Sequence, residues 1–337
     1  MTSSKILPIL IENLSSVNSE TCKKSTESLI ETFGEAFKVQ DECLNLGILD
    51  AILAQTKQKQ PMQLYIDLAR LTVQISKHFH FLIEVDEKAV DKLTEINFIL
   101  LNLKNEKISD IDIREKAFLA LDKQLPWMTV GSLIFNYFKL NPLPFYKSFL
   151  GPDYEALHSK VVDHLTQFMR QGLVDARKLN DLGFFPLIIG MIELSKSPIS
   201  TQSSLINLEV ALEHLSPNDL ILKGADVKKV CELIKCALRS IVYYSLKVLN
   251  IVALQASMID SGEILQTILQ EVDFAYLRTR SILENLKRTV MREALWSANL
   301  TTVQEILFFN AAESKLVKRP SCILLHQQSG IGLISLG

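Results

Sequence analysis

Glycine is scarce in this chain, with 12 residues among 337, and aromatic residues make up only 7%. β-rich proteins and dinucleotide-binding folds use glycine in turns and phosphate loops, so this scarcity disfavours both classes. Apolar residues make up 48% of the chain, which is too large a share for a disordered protein. The composition therefore predicts a folded, helix-rich protein with a large core.

Charge of one sign and long hydrophobic runs are also lacking. The 36 Lys and Arg balance 38 Asp and Glu, so the chain has no basic excess for phosphate contacts, and we expect no nucleic-acid partner. No uncharged apolar run reaches about 18 residues, which predicts no membrane span. The first 14 residues, MTSSKILPILIENL, lack the length and cleavage site of a signal peptide.

Cysteine is sparse as well, with five scattered residues. An odd, scattered set favours free thiols in a reducing compartment over a disulfide framework. The sequence therefore predicts a cytoplasmic protein, and the short basic run KLVKRP at 315–320 leaves the nucleus as the alternative.

Two kinds of segment alternate along the chain. The first has a glycine or asparagine followed by an apolar run with helical spacing, which predicts a helix that begins at a tight turn, at Gly47, Asn97, Gly183 and Gly262. The second is apolar nearly all round with interleaved alanines, near Leu68, Phe118, Leu208, Leu249 and Leu295. A helix that is apolar on every face is buried by neighbours on both sides, so the second kind predicts the spine helices of a stack. Their spacing of roughly 40 to 50 residues is typical of two- or three-helix solenoid repeats.

This alternation resembles armadillo repeats over residues 20–312. The resemblance implies an all-α, armadillo/HEAT-like right-handed α-solenoid of about six repeats. The run VQDECLNLGILDAILAQTKQ, followed by LARLTVQISK, is similar to the opening repeats of small-GTPase dissociation stimulators of the SmgGDS kind. The segment MREALWSANLTT resembles the inner helix of nuclear import adaptors, although Trp296 and Asn299 stand three residues apart instead of four.

The repeat period breaks in the middle of the chain. We expect N-terminal armadillo-like repeats over 1–125, an insertion or hinge rich in proline and aromatic residues over 126–155, C-terminal repeats over 156–319 and an irregular tail over 320–337. The aromatic residues of the insertion either fill a mismatch between two helical stacks or form a docking patch. The candidates for such a patch are Trp127, Tyr137, Phe145 and Tyr146.

Asparagines recur in the later spine segments, at Asn207, Asn250 and Asn299. The armadillo resemblance implies that such amides line a concave groove and bind the backbone of an extended peptide, with Trp296 beside them. A side-chain amide suits this task because it offers both a donor and an acceptor. The alternative is that each amide bonds to a neighbouring loop and packs the repeats together.

Motifs that indicate catalysis, cofactors or metals are absent from the sequence: it has no P-loop, nucleophile elbow or HExxH. We therefore predict a non-enzyme without cofactor or metal, which binds another protein as a scaffold or adaptor. Narrower versions are a regulator or chaperone of small GTPases and an assembly chaperone for a large complex such as the proteasome. The alternative from another class is an enzyme with a pocket joining the insertion to His158 or His164.

Overall fold

A computed structural model describes residues 3–35, 42–77, 87–103, 108–128, 137–193, 197–219, 221–259, 261–272, 322–327 and 330–335. The α-helices of these ranges are α1 Ser3–Leu14, α2 Ser19–Glu35, α3 Ile48–Thr56, α4 Met62–Ser76, α5 Glu87–Leu101, α6 Ile108–Met128, α7 Leu143–Ser148, α8 His158–Arg170, α9 Ala176–Asp181, α10 Phe185–Ile189, α11 Pro198–His214, α12 Gly224–Glu232, α13 Arg239–Met258 and α14 Gly262–Glu271. Short 3₁₀ helices span Pro152–Leu157, Pro217–Asp219 and Leu233–Lys235, and the strands are β1 Cys322–Gln327 and β2 Gly330–Ser335.

The chain divides into two compact units, Met1–Phe168 and Met169–Gly337. In the first unit, α1, α3 and α5 pack side by side in one layer, and α2, α4 and α6 form the other layer. In the second unit, α11 packs on α13 and α12 packs on α14, with α13 also touching both α12 and α14. Each unit is therefore a stack of helices in two layers, which is the architecture of armadillo-like repeats.

Within the first unit α2, α4 and α6 pack in succession, and within the second unit α11 packs on α13; these helices begin at residues 19, 62, 108, 198 and 239. Their spacing confirms the predicted repeat length and the all-α class for the helical part of the chain. The sequence predicted no spine segment at α2, and none at α8, which contacts α6 through a hydrogen bond between His164 and Asp122. The apolar face of α8 is interrupted by His164, which hides the pattern.

Glycine opens two of the predicted helices by adopting a left-handed backbone conformation. Gly47 has φ 78° at the N-cap of α3, and Gly183 has φ 72° shortly before α10. The prediction of a helix start at Asn97 is wrong, because Asn97 lies buried inside α5. The apolar period begins further upstream, at Ala89, Val90 and Leu93, and carries the helix through Asn97.

Buried amides tie neighbouring repeats together near the ends of the spine helices. Gln124 Nε2 donates to Ser76 Oγ at 2.9 Å, and Gln255 Nε2 donates to the Leu212 carbonyl at 2.7 Å. In the second case the amide satisfies a carbonyl at the end of α11 that has no partner within the helix. The same arrangement thus fixes the register of repeats in each unit.

The predicted insertion lies within the first unit. It contains α7, which begins directly after Pro142, and most of the 3₁₀ helix Pro152–Leu157, which begins at a proline. Buried aromatic residues from this region contact one another edge to face, as Phe149 and Tyr154 do with ring centroids 4.9 Å apart. This packing favours the core-filling interpretation of the insertion.

The tail over 320–337 is not wholly irregular. Strands β1 and β2 pair in antiparallel register, with Ile323 opposite Ile334 and Leu324 opposite Leu333. Branched apolar residues on either side of a Gln-Ser-Gly sequence favour a hairpin over a helix.

Candidate protein-binding surface

Helix α13 has one face open to solvent. Its opposite face is buried and includes Leu246, Leu249 and Val252. The open face carries five side chains at helical spacing, and we call these residues the α13 stripe: Tyr243, Lys247, Asn250, Leu254 and Met258. Three of them are large, and Tyr243, Leu254 and Met258 remain 38%, 41% and 64% exposed. The stripe is thus an apolar and aromatic strip with an amide at its centre.

Lys247 anchors one end of the stripe. Its Nζ forms an ion pair with Glu209 Oε1 of α11 at 2.6 Å. The same Nζ lies 5.0 Å from the ring centroid of Tyr243 and 5.8 Å from that of Tyr244, within the range of cation–π attraction. The hydrogen bond to Glu209 raises the pKa of Lys247. The stripe therefore holds its cation in a neutralised pair and orients its aromatic ring.

The predicted asparagines occupy different environments. Asn250 is partly exposed at the centre of the α13 stripe. Asn207 is fully buried in α11, so the packing interpretation is favoured over the groove interpretation at that position. Asn299 and Trp296 lie outside the described residues.

The predicted insertion candidates are mostly core residues. Tyr137 and Tyr146 are 1% and 2% exposed, so neither is available to a partner. Phe145 is half-buried and packs edge to face on Phe98, with centroids 5.1 Å apart. Trp127 lies at the end of α6, and its side chain is outside the described residues. Among the three candidates whose side chains the structure describes, Phe145 alone retains surface for the predicted docking patch.

The buried tyrosines belong to a hydrogen-bonded chain that crosses the first unit. Tyr137 Oη donates to Tyr146 Oη at 3.0 Å, and Tyr146 Oη lies 2.9 Å from His164 Nδ1. His164 Nε2 lies 3.1 Å from Asp122 Oδ1, while Lys160 Nζ donates to Asp122 Oδ2. One consistent arrangement of protons has each tyrosine donating toward a neutral His164, which donates to the Asp122 carboxylate.

The pKa values of Asp122 and Tyr146 in this chain are shifted in opposite directions. Burial opposes the charge of Asp122, but hydrogen bonds from His164 and Lys160 outweigh it and lower the pKa of Asp122 to about 2. Burial raises the pKa of Tyr146 well above its usual value. Phe118 stacks on His164, with ring centroids 5.1 Å apart, and fixes the plane of the imidazole.

This chain is the nearest approach to a catalytic arrangement in the described residues, because it joins the insertion to His164 as the enzyme hypothesis requires. Its phenols are desolvated and buried, however, and a nucleophile or acid needs access to substrate. His158 serves a local role and binds the Gly151 carbonyl at 2.9 Å. We therefore interpret the chain as a structural tie between α6, α7 and α8. The sequence signal for it was a histidine on an otherwise apolar helix face.

Metal and thiol chemistry find little support in the part of the chain that the structure describes. Within it, no group of three or more His, Cys, Asp and Glu is arranged to hold a metal ion. Cys22, Cys43, Cys231 and Cys236 are free, as the sequence predicts. Burial raises the pKa of Cys43 and of Cys231 to about 12, which makes these two thiols unreactive.

Among the described residues, α13 is the one helix that is long and apolar enough to cross a membrane by length and composition. It also packs on α11, α12 and α14 within the second unit. These contacts are typical of the core helix of a helical stack.

Comparison with known proteins finds no matching family model and no matching curated protein. Among solved structures, the chain is similar to an engineered protein with 12% identity and a TM-score of 0.45, covering 93% of this chain and 94% of that one. A second engineered protein has 12% identity and a TM-score of 0.30, covering 86% and 96%. Computationally designed armadillo repeat proteins for modular peptide recognition have 8% identity and a TM-score of 0.34, covering 85% and 99%. Because these TM-scores are below 0.5, the fold assignment rests on the helix packing described above.

Proposed function

We propose that this chain is a protein-binding scaffold of helical repeats and that the α13 stripe contacts its partner. The observation that carries the proposal is the exposure of Tyr243, Leu254 and Met258 on one helix face, around the half-exposed Asn250. Aromatic residues and methionine are enriched at protein interfaces, and apolar patches on a soluble surface mark interaction sites.

The stripe favours an extended, largely uncharged segment of a partner. Its single cation, Lys247, is already paired with Glu209, so the stripe offers little charge to attract an ionic group. The Asn250 amide offers both a donor and an acceptor to the backbone of a bound strand. Leu254 and Met258 offer apolar surface to its side chains.

Site-specific photo-crosslinking tests this proposal. A benzoylphenylalanine at position 254 captures a partner in cells if the stripe is the contact surface. The matched control carries the same group at Leu182, which lies in the second unit and is 38% exposed, against 41% for Leu254. We expect a discrete adduct from position 254 that is absent from position 182 and is lost when Asn250→Ala is added. Equal adducts from both positions, or none from 254, contradict the proposal.

The narrower roles in GTPase regulation or chaperoning rest on the sequence resemblance. We expect a regulator of small GTPases to present an electronegative groove to a basic tail of the GTPase, whereas the one charged residue of the α13 stripe is Lys247, which is paired with Glu209. Mass spectrometry of peptides from the crosslinked partner separates these roles, since it shows whether the partner is a small GTPase or a subunit of a large complex such as the proteasome.

A further inference from the structure

Arg114 of α6 is held in a cradle of aromatic rings in the first unit. The central carbon of its guanidinium lies 5.2 Å from the ring centroid of Phe149 and 5.6 Å from that of Tyr154. Both rings are buried, and Phe149 packs edge to face on Tyr154. Contacts of this kind attract a cation and restrict its motion. The guanidinium is thus fixed before any ligand arrives.

The hydrogen bonds of Arg114 leave one edge of the guanidinium free. Nη2 donates to Ser148 Oγ at 2.6 Å, and Ser148 Oγ in turn donates to the Phe145 carbonyl at 2.8 Å. Nε is buried without a hydrogen-bond partner. The side chain as a whole is half-buried, and the hydrogen bond from Nη2 to Ser148 lies at the protein surface.

The positive charge of Arg114 is not neutralised by the nearby carboxylates that the structure describes. Asp112, two residues away, forms its ion pair with Lys116. A half-buried guanidinium without a carboxylate is unusual, because burying a charge is costly unless it is paired. The planar fork of arginine matches the two oxygens of a carboxylate.

We propose that Arg114 binds a carboxylate of a protein partner, at a site separate from the α13 stripe. The proposal rests on the proposed function in one respect, that the carboxylate comes from a bound protein. Ser148 links Arg114 to the backbone carbonyl of Phe145, whose half-buried ring packs on that of half-buried Phe98, so partly exposed aromatic residues belong to the neighbourhood of the charge. An arginine beside aromatic residues is the composition of an interface hot spot.

Nuclear magnetic resonance of the full chain tests the site with a defined probe. The probe is N-acetylglutamate N-methylamide, and the readout is the Nε–Hε cross peak that disappears in Arg114→Lys. We expect a saturable shift of this peak with the glutamate probe. We expect no shift with N-acetylglutamine N-methylamide, which has the same shape without the charge.

Three further measurements make the outcome decisive. Arg114→Lys keeps the positive charge but not the planar fork of donors, and it should weaken the binding of the glutamate probe tenfold or more. Binding to this variant is followed on the cross peaks of neighbouring backbone amides. Inorganic phosphate should bind more weakly than the glutamate probe, and tighter binding of phosphate overturns the carboxylate assignment. Asp110 stands one helical turn before Arg114 in the sequence, so a response seen only in Asp110→Asn shows that the chain supplies its own carboxylate and also overturns the proposal.

Failure of this proposal and failure of the proposed function are distinguishable. The peak of Arg114 responds to a small molecule whether or not the α13 stripe binds a protein. The crosslink at position 254 likewise forms whether or not Arg114 binds a carboxylate.

Discussion

Two aspartates of the first unit, Asp67 fully buried and Asp122 largely buried, differ in the partners that surround them. Asp122 accepts hydrogen bonds from His164 and Lys160 through both carboxylate oxygens. Asp67 is 3% exposed, and its Oδ1 is bound by Gln63 and Arg70 while its Oδ2 is buried without a partner. Burial alone is therefore not informative about the effect of a carboxylate on stability, since its hydrogen bonds decide the sign.

Replacing Asp122 should destabilise the protein. Asp122→Asn removes the negative charge of the carboxylate to which Lys160 and His164 are hydrogen-bonded. We expect the free energy of unfolding at pH 7 to fall by about 2 kcal/mol. The pKa of Asp122 is about 2 in the folded state, which is below its value in the unfolded state. The stabilisation of the fold by this carboxylate is therefore fully present above the unfolded pKa and is lost as pH falls toward 2. Urea unfolding between pH 7 and pH 3 measures this effect. The difference in the free energy of unfolding between wild type and Asp122→Asn should become smaller on acidification. A constant gap contradicts this account.

Replacing Asp67 should have the opposite effect. Desolvation raises the pKa of Asp67, so its protonated form is favoured in the folded state, and its carboxylate destabilises the fold above that pKa. Asp67→Asn keeps the shape and removes the charge, and we expect a gain of about 1 kcal/mol at pH 7. The same urea series should show the gain vanish below the unfolded pKa. A loss of stability at pH 7 would show that Arg70 and Gln63 compensate the charge fully.

At the scale of single elements, the apolar period and the glycines predicted most helices of the described chain. Gly47 and Gly183 do open helices in the conformation that only glycine adopts readily. The period misplaced one start, at Asn97, because a polar residue inside an apolar run looks like a boundary in sequence. It missed several helices, among them α2 and α8, and in α8 His164 is buried through partners on other elements that sequence spacing does not reveal.

Gly47 and Gly262, which both lie at the start of a helix, should respond differently to substitution by alanine. Gly47 has φ 78°, which costs an alanine about 1 to 2 kcal/mol, so Gly47→Ala should lower the free energy of unfolding by that amount. Gly262 begins α14 without a positive φ, and an added Cβ meets nothing within 4 Å. Gly262→Ala is the matched control and should be neutral or stabilising by up to about 1 kcal/mol. Circular dichroism during chemical unfolding measures both, and equal losses contradict the conformational explanation.

At the scale of the whole molecule, the repeat length and the helical class follow from the sequence, but the open surface does not. Asn207 and Asn250 have similar sequence contexts, yet α11 is buried on nearly every face while α13 is open on one. Which spine helix keeps an open face depends on its neighbours in space. For the same reason, the aromatic insertion was ambiguous between core and surface until the burial of Tyr137 and Tyr146 decided it.

The affinity of the crosslinked partner for variants of the α13 stripe tests the central claim most directly. Calorimetric titration with Asn250→Ala/Leu254→Ala should give a Kd at least tenfold higher than wild type, which corresponds to about 1.4 kcal/mol. Leu182→Ala, equally exposed in the same unit, should leave the Kd unchanged. An unchanged Kd for the stripe variant, or an equal loss for Leu182→Ala, would contradict the assignment of α13 as the protein-binding surface.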